Sequence, residues 1–354
     1  MHFGLHYLLS CADSQTPYQR YRDTVEQAVH AERLGFESVW PVEQHFNARA
    51  SVMPCPTLML AAIAERTRTL RLGTAIVQLP LWHPLRVAEE LATLDVLSGG
   101  RVECGVGRGS NPVHFEGFGA SLAESRERFV EALDVLRRAW TEPSCSFKGR
   151  YYTIDAVALA PKPYQQPHPP LRVAANSVET AAWAGSAGYP IIIATNVNPL
   201  PKAKNVLAAY TAARAEAGLP VASRDDVTLL VPTYVAQDAD QARAEFEPSV
   251  QQYARLLVEV GEATLSRLKT EAERSELSKI LDRVRGLSYR QVQEVIGIVG
   301  STEACLERLE SIDADFKPGR IITWFNFGGL VAHEHVLRSM ECFAAQIMPR
   351  FASR

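Results

Sequence analysis

The sequence has no CxxC pair and no Cys/His cluster at zinc-ligand spacing: its six cysteines, Cys11, Cys55, Cys104, Cys145, Cys305 and Cys342, are scattered along the chain. That excludes a disulfide scaffold and a zinc module, leaves no metal site to propose, and fits a reduced, cytoplasmic setting. A dense Lys/Arg stripe is also missing, since 37 Lys and Arg stand against 40 Asp and Glu for a net charge of -3. Without it, the attraction that dominates nucleic-acid binding and attachment to anionic lipid is absent. No run of about 18 apolar residues exists, which excludes a spanning helix. Leu8-Leu9-Ser10-Cys11 has the outline of a lipoprotein cleavage box, but no Lys or Arg precedes it. His2 and His6 also interrupt the apolar run, so a buried first strand is expected instead of an exported leader. No GxGxxG turn follows that strand, no GxSxG elbow occurs, and His333-Glu334-His335 lacks the HExxH spacing.

What is present is a chain of 354 residues, 47% hydrophobic and 22% charged, long enough to bury a large core. Short apolar runs alternate with segments of helical period from end to end, the pattern of βα units feeding a parallel sheet. Strands are predicted near Phe3 to Leu9, Ser38 to Val42, Leu70 to Leu79, Arg101 to Gly107, Leu171 to Ala175, Ile191 to Ala194, Val227 to Val235 and Ile321 to Phe327. Helices are predicted at Tyr18 to Leu34, with Val25, Ala28, Val29 and Leu34 on the inner face, and at Pro84 to Leu97, Ser121 to Trp140, Val178 to Ala187, Pro199 to Ala217 and Thr302 to Ile312. About eight such pairs are what a closed (β/α)8 barrel needs, and an open doubly wound sheet is its competitor. One domain is expected over residues 1–354, with an inserted hairpin and loop near 144–170 and a charged helical segment near 247–295. The latter reads either as a solvated helix pair or as a mobile lid.

Reactive residues of a barrel gather where its strands end. The second predicted strand ends in Glu43-Gln44-His45-Phe46, placing a carboxylate, an amide and an imidazole at that rim. An imidazole suits proton transfer near neutrality, though a histidine there also serves to tie down a loop. The fourth ends in Gly105-Val106-Gly107-Arg108-Gly109, where glycine permits close backbone approach and Arg108 offers a planar fork of donors for phosphate. The fifth runs into Asn176-Ser177-Val178-Glu179-Thr180 at a helix start, which reads as an anion site or as ordinary capping. Neighbouring strands would let Arg108, Ser177 and Thr180 converge on one phosphate.

Several short motifs, in their order and spacing, resemble the bacterial luciferase-like flavin monooxygenases. They are Met1-His2-Phe3-Gly4, Gly35 to Trp40, Glu43-Gln44-His45-Phe46, Leu72-Gly73-Thr74-Ala75, Leu79-Pro80, His83-Pro84-Leu85-Arg86, Ser98-Gly99-Gly100-Arg101, Gly107-Arg108-Gly109, Val173 to Pro190 and Val299-Gly300-Ser301-Thr302. The resemblance implies a (β/α)8 TIM barrel that binds FMN, with Arg108, Asn176, Ser177 and Thr180 at the phosphate. It places Glu43, Gly107 and a cis Ala75-Ile76 bond among the cofactor contacts. It further implies a two-component monooxygenase that receives reduced FMN from a separate NAD(P)H:flavin reductase. O2 would add at the flavin C4a carbon, and one oxygen of the resulting (hydro)peroxide would reach a small organic substrate. Hydride transfer with F420 and a non-catalytic flavin-binding subunit are the alternatives, and a homodimer or higher homo-oligomer is implied. In the luciferase catalytic subunit both residues after the Glu are His, and the first is the one assigned as catalytic. Here that position is Gln44, so His45 and Gln44 share the candidate catalytic role and light emission is not expected.

Overall fold

In the computed structural model, which describes residues 1–12, 14–265 and 271–352, proline marks where helices begin. α1 (Pro17–Leu34), α2 (Pro56–Ala64), α3 (Pro84–Ser98) and α4 (Pro112–Gly117) each start on Pro, whose missing N–H has no helical partner at that position anyway. The other helices are α5 (Ser125–Thr141), α6 (Val178–Ser186), α7 (Leu200–Glu216), α8 (Ala239–Leu265), α9 (Glu271–Arg285), the single turn α10 (Tyr289–Gln291), α11 (Thr302–Phe316) and α12 (His333–Gln346). The strands are β1 (His2–Tyr7), β2 (Ser38–Pro41), β3 (Arg71–Gly73), β4 (Val77–Gln78), β5 (Val102–Gly107), β6 (Cys145–Lys148) and β7 (Thr153–Val157). They continue with β8 (Leu171–Ala174), β9 (Ile191–Ala194), β10 (Val227–Ala236), β11 (Ile298–Ser301) and β12 (Arg320–Trp324).

Eight of these strands pair in parallel in the order β1, β2, β3, β5, β8, β9, β10, β12, and β12 pairs β1 to close the ring. The molecule is therefore a TIM barrel rather than an open sheet. β4 adds to β5, β11 adds to the far end of β10, and β6 with β7 forms an antiparallel hairpin between α5 and β8. Most expected strands shift by a residue or two at an end, the first stopping at Tyr7, and two differ more. The run from Leu70 to Leu79 is broken into β3 and β4, because Thr74 Oγ1 donates to the Gly105 carbonyl (2.7 Å) and the Ala75 N–H to the Pro41 carbonyl (3.0 Å). The Ala75-Ile76 peptide within the break is cis. The last strand stops at Trp324, whose indole N–H turns back to the Asn326 carbonyl (3.1 Å). The inner face of α1 is also rotated from the expected one. It buries Arg20, Asp23, Thr24 and Gln27 beside Ala28 and Ala31, because Asp23 accepts from Gln15 and Gln19 and Thr24 Oγ1 donates to the Arg20 carbonyl.

Strand alternation and register sort the barrel's inward residues into layers. At the lower end Arg71, Glu103, Arg172 and Arg320 fill the interior. Glu103 accepts from Arg71 Nε (2.6 Å), Arg172 Nε (3.1 Å) and both terminal nitrogens of Arg320 (2.7 and 2.9 Å), while Glu37 takes a further bond from Arg320 (3.1 Å). Above this plug Trp40 crosses the barrel, and a Cβ at Gly73 would lie 2.2 Å from its ring. Glycine there is a requirement of volume. The uppermost layer holds His6, Gly107, Ala194 and Trp324, and this is the floor of the mouth.

Candidate active site

At the end of β2 the carboxylate of Glu43 is a hub. Its Oε1 lies 2.9 Å from His45 Nε2 and accepts the Trp82 indole N–H at 2.9 Å, and its Oε2 accepts the Gln78 backbone N–H at 2.9 Å. Glu43 and His45 are only 4% and 5% exposed, a depth at which a carboxylate needs such donors. The Gln78 amide donates to the Glu43 carbonyl (2.9 Å), and its oxygen faces His114 Nδ1 (3.1 Å). Burial, then the nearby His45, pushes His114 down to about 4, so its imidazole is neutral near pH 7. The His45 backbone N–H donates to His114 Nε2 (3.3 Å), so Nδ1 carries the His114 proton and gives it to Gln78.

This network leaves one lone pair of the His45 ring free. With Nε2 held on Glu43, Nδ1 has no hydrogen bond to a described residue and is not sealed from accessible space. Around the ring stand Phe118, His114, Phe46 and Trp82, with centroids 4.9, 5.2, 5.6 and 5.9 Å away. Phe46 has φ 57°, an uncommon conformation for a bulky residue, directly after His45. Gln44 takes no part in this network. It is half-buried, its backbone N–H binds the Met53 carbonyl (2.9 Å), and its side chain bonds to no described residue.

A second feature lies where β5 and β8 end. Arg108 and Thr180 line one small cavity with Arg126 of α5, Phe129 and Trp183. Ser177 caps α6 by accepting the Thr180 N–H (3.2 Å) and donates to Thr180 Oγ1 (3.2 Å). The carboxyl of Glu179 is held below its usual range by its own backbone N–H, then by Ser177, with Arg126 and Arg108 adding to the effect. The Glu179 carboxylate is itself the anion that this helix start stabilises. Asn176 is turned the other way: its Oδ1 accepts the Ala194 N–H (3.0 Å) and its carbonyl the Asn198 amide (2.9 Å), tying β8 to β9. A Cβ at Gly107 would lie 2.0 Å from Ile76 Cδ1, so a side chain there would require that methyl to move.

The α8 segment covers the mouth. Ser249 Oγ donates to the Phe327 carbonyl (2.6 Å) and accepts the Leu330 N–H (2.9 Å). Tyr253 packs on Phe327 (centroids 4.0 Å apart) and takes a bond from the Asn196 amide (2.8 Å). This helix is docked rather than solvated on that face, while residues 266–270 of the expected lid lie outside the described residues.

Gln78, Trp82, His114 and Arg126 were not singled out from sequence. Asn111-Pro112 carries the cap-and-proline signal that marks α4 and hence places His114 on a helix. Arg126 looks like any other charge on a solvated helix face.

The molecule is thus a closed parallel barrel with arginines at one strand end and a carboxylate-oriented imidazole at another. The family model of the luciferase-like monooxygenases matches residues 1–314, and the chain belongs to that family. Protein y4wF of Sinorhizobium fredii is 37% identical over 58% of each chain. The 4-hydroxyprotoasukamycin monooxygenase of Streptomyces nodosus subsp. asukaensis is 31% identical over 94% of this chain and 86% of its own. The oxygenase component of the flavin-dependent trigonelline monooxygenase of Acinetobacter baylyi is 29% identical over 66% and 64%. Among solved structures, monooxygenase RslO1 from Streptomyces bottropensis superposes with a TM-score of 0.80 at 28% identity, covering 99% of this chain and 100% of that one. An F420-dependent tetrahydromethanopterin reductase from Methanopyrus kandleri shares the fold at 18% identity and a TM-score of 0.73, each chain 99% covered. That family includes flavin-dependent monooxygenases and F420-dependent oxidoreductases.

Proposed function

We propose that the protein is the oxygenase of a two-component FMN-dependent monooxygenase. The observation that carries this reading is the cavity shared by Arg108, Arg126 and Thr180 at the α6 N-terminus, beside the rim that holds Glu43 and His45. Two guanidinium groups beside a helix start match a phosphate monoester in charge. Bound reduced FMN supplies the electrons with which one atom of O2 enters a small organic substrate and the other leaves as water. Arg108, Arg126 and Thr180 hold the phosphate, Gly107 and Ile76 line the space between phosphate and rim, and Gln44 offers an untethered amide to a ligand. Glu43 orients His45 so that the Nδ1 lone pair can take or return a proton, with Phe46, Trp82 and Phe118 as apolar walls around the ring. A separate NAD(P)H:flavin reductase as electron source is supported by the Acinetobacter relative, which is named as an oxygenase component. A cytoplasmic setting is supported by the scattered cysteines, which form no CxxC pair, and no described helix is long and apolar enough to cross a membrane.

Arg108→Ala is expected to weaken FMN binding by about 1.5–3 kcal/mol, the scale of a charged hydrogen bond. Fluorescence titration of flavin checks this, and an unchanged affinity would remove the phosphate assignment. Titrating F420 in parallel decides the cofactor: tighter binding and turnover with F420 would replace the monooxygenase reading with hydride transfer. Catalysis by the purified chain with reduced FMN distinguishes an enzyme from a non-catalytic flavin-binding subunit.

The expected homodimer is supported by a groove of about 640 Å³ between α2 and α3, which exposes Leu58 and Leu97. Its wall includes Glu43 and Trp82, so a second copy seated there would shield the hub. Leu58→Glu with Leu97→Glu is expected to give a monomer by light scattering, and an unchanged mass would place any self-association elsewhere.

A further inference from the structure

Arg20, on the inner face of α1, carries a charge that no side chain in contact with it balances. The residue is 2% exposed, and its Nε is sealed without a hydrogen-bond partner. Among the described residues, no carboxylate lies within ion-pair distance of its guanidinium. Asp23 acts on it at longer range, but the oxygens of that carboxylate are taken by the amides of Gln15 (2.7 Å) and Gln19 (2.6 Å). Burial pushes Arg20 below the usual guanidinium range, opposed by Tyr7, Asp23 and Cys11, and an arginine keeps its proton even so. A buried charge of this kind is costly unless something pairs with it.

Arg20 lines a small cavity of about 10 Å³ between the upper ends of β1 and β12 and the helices α1 and α12. Tyr7 and Asn326 line it too, and both are buried. The Tyr7 hydroxyl has no partner, and burial holds the phenol above its usual range, so it remains a neutral donor. The Asn326 NH2 bonds to no described residue, while its Oδ1 accepts the Val331 N–H (3.1 Å). Two acceptors complete the lining. Gln27 Oε1 is unpaired, and His6 has its Nδ1 on the Trp40 carbonyl (3.0 Å), which leaves Nε2 as a lone pair.

We propose that this cavity binds one chloride-sized anion, held by Arg20, Tyr7 and Asn326. The room admits a single particle near the size of a water molecule, which excludes phosphate, sulfate and any ligand carrying a carboxylate. A water would pair with Gln27 and His6 but leave the guanidinium charge unbalanced among Leu5, Phe325 and Met340. A halide balances that charge and accepts from all three donors. Leaving a neutral acceptor unpaired costs less than leaving a buried charge unpaired, so the anion is the better occupant. It ties α1 to β1 and to the turn after β12, beside the barrel mouth.

Long-wavelength anomalous diffraction from crystals grown in sodium chloride tests occupancy directly, because chloride scatters anomalously there and water does not. An anomalous peak within hydrogen-bond distance of the Arg20 guanidinium is expected. A water without anomalous signal, or an empty cavity, would overturn the proposal. In solution, chloride is exchanged for methanesulfonate, which is too large for the cavity, at constant ionic strength. The melting midpoint of the wild type should then rise by about 2 °C per tenfold increase in chloride once the site begins to fill. Arg20→Met should abolish that rise. Tyr7→Phe removes one donor and no charge, so it should need more chloride for the same rise, and it serves alone if Arg20→Met does not fold. The same chloride dependence in the wild type and the variants would mark a general salt effect and overturn the assignment.

Discussion

Glu103→Gln is expected to cost about 3–5 kcal/mol of stability, the scale for removing one partner from a buried ion network. Three guanidinium groups, from Arg71, Arg172 and Arg320, converge on this carboxylate, which is 2% exposed, and Glu37 is the one other acid in contact with them. An amide has nearly the same shape, but its NH2 faces donors and its oxygen carries no charge to balance them. Burial alone would raise the Glu103 carboxyl. Arg320, followed by Arg172 and Arg71, outweighs burial and holds it at about 2. Because the folded value lies below the unfolded one, near 4.5, this contribution is complete above about pH 4.5 and is lost as the pH falls toward 2. Urea melts at pH 7 should therefore show the full deficit of the variant, and melts at pH 3 a smaller one. A deficit under about 1 kcal/mol at pH 7 would mean that the arginines find other acceptors and that the plug is not a stability element. Because the plug lies at the end of the barrel away from the mouth, flavin affinity measured well below the melting temperature should not change.

Much of the barrel was legible because its strands are buried on both faces and read as continuous apolar runs between turn signals. Ile191-Ile192-Ile193-Ala194 is such a run, and β9 has the expected bounds. β11 escaped for the opposite reason. Ile298-Val299-Gly300-Ser301 is short, contains glycine and pairs with the end of β10 outside the ring, so no periodicity marks it. The face of α1 escaped because its buried polar residues satisfy one another, and hydrophobic periodicity cannot see a hydrogen bond between Gln19 and Asp23.

The site divides in the same way. Glu43, His45 and Arg108 follow directly from where strands end, a local property of the chain. The partners that give them chemical character come from far along it: Gln78 lies 35 residues from Glu43, and His114 69 from His45. No local pattern encodes that convergence, which exists only once the ring closes and β4 and α4 meet above β2. At Asn176 the helix start was legible, but the Ala194 N–H that fixes its Oδ1 is brought there only by the closed ring.

His45→Ala is expected to lower product formation by about 10²- to 10⁴-fold, the usual loss when a positioned general acid or base is removed. FMN affinity should change little, because the proposed phosphate site lies where β5, α5 and α6 meet and shares no hydrogen bond with the Glu43 hub among the described residues. The reduced cofactor should then be spent without oxygenation, and hydrogen peroxide release should rise as product falls. Gln44→Ala should do less, since an amide can position an oxygen but does not exchange a proton at neutral pH. Loss of the ring also leaves the Glu43 carboxylate with two of its three donors, so some stability will be lost. Added imidazole separates this structural loss from the chemical one. The space left by the side chain can admit a free ring, and recovered product with an unchanged melting temperature identifies missing proton transfer. The decisive measurement is the ratio of product to peroxide in single-turnover reactions of reduced FMN with O2, for wild type and both variants. Product formed by His45→Ala at the normal rate would make the Glu43–His45 pair an ordering device for the Phe46 and Phe118 loops. The protein's contribution would then be cofactor positioning and exclusion of water.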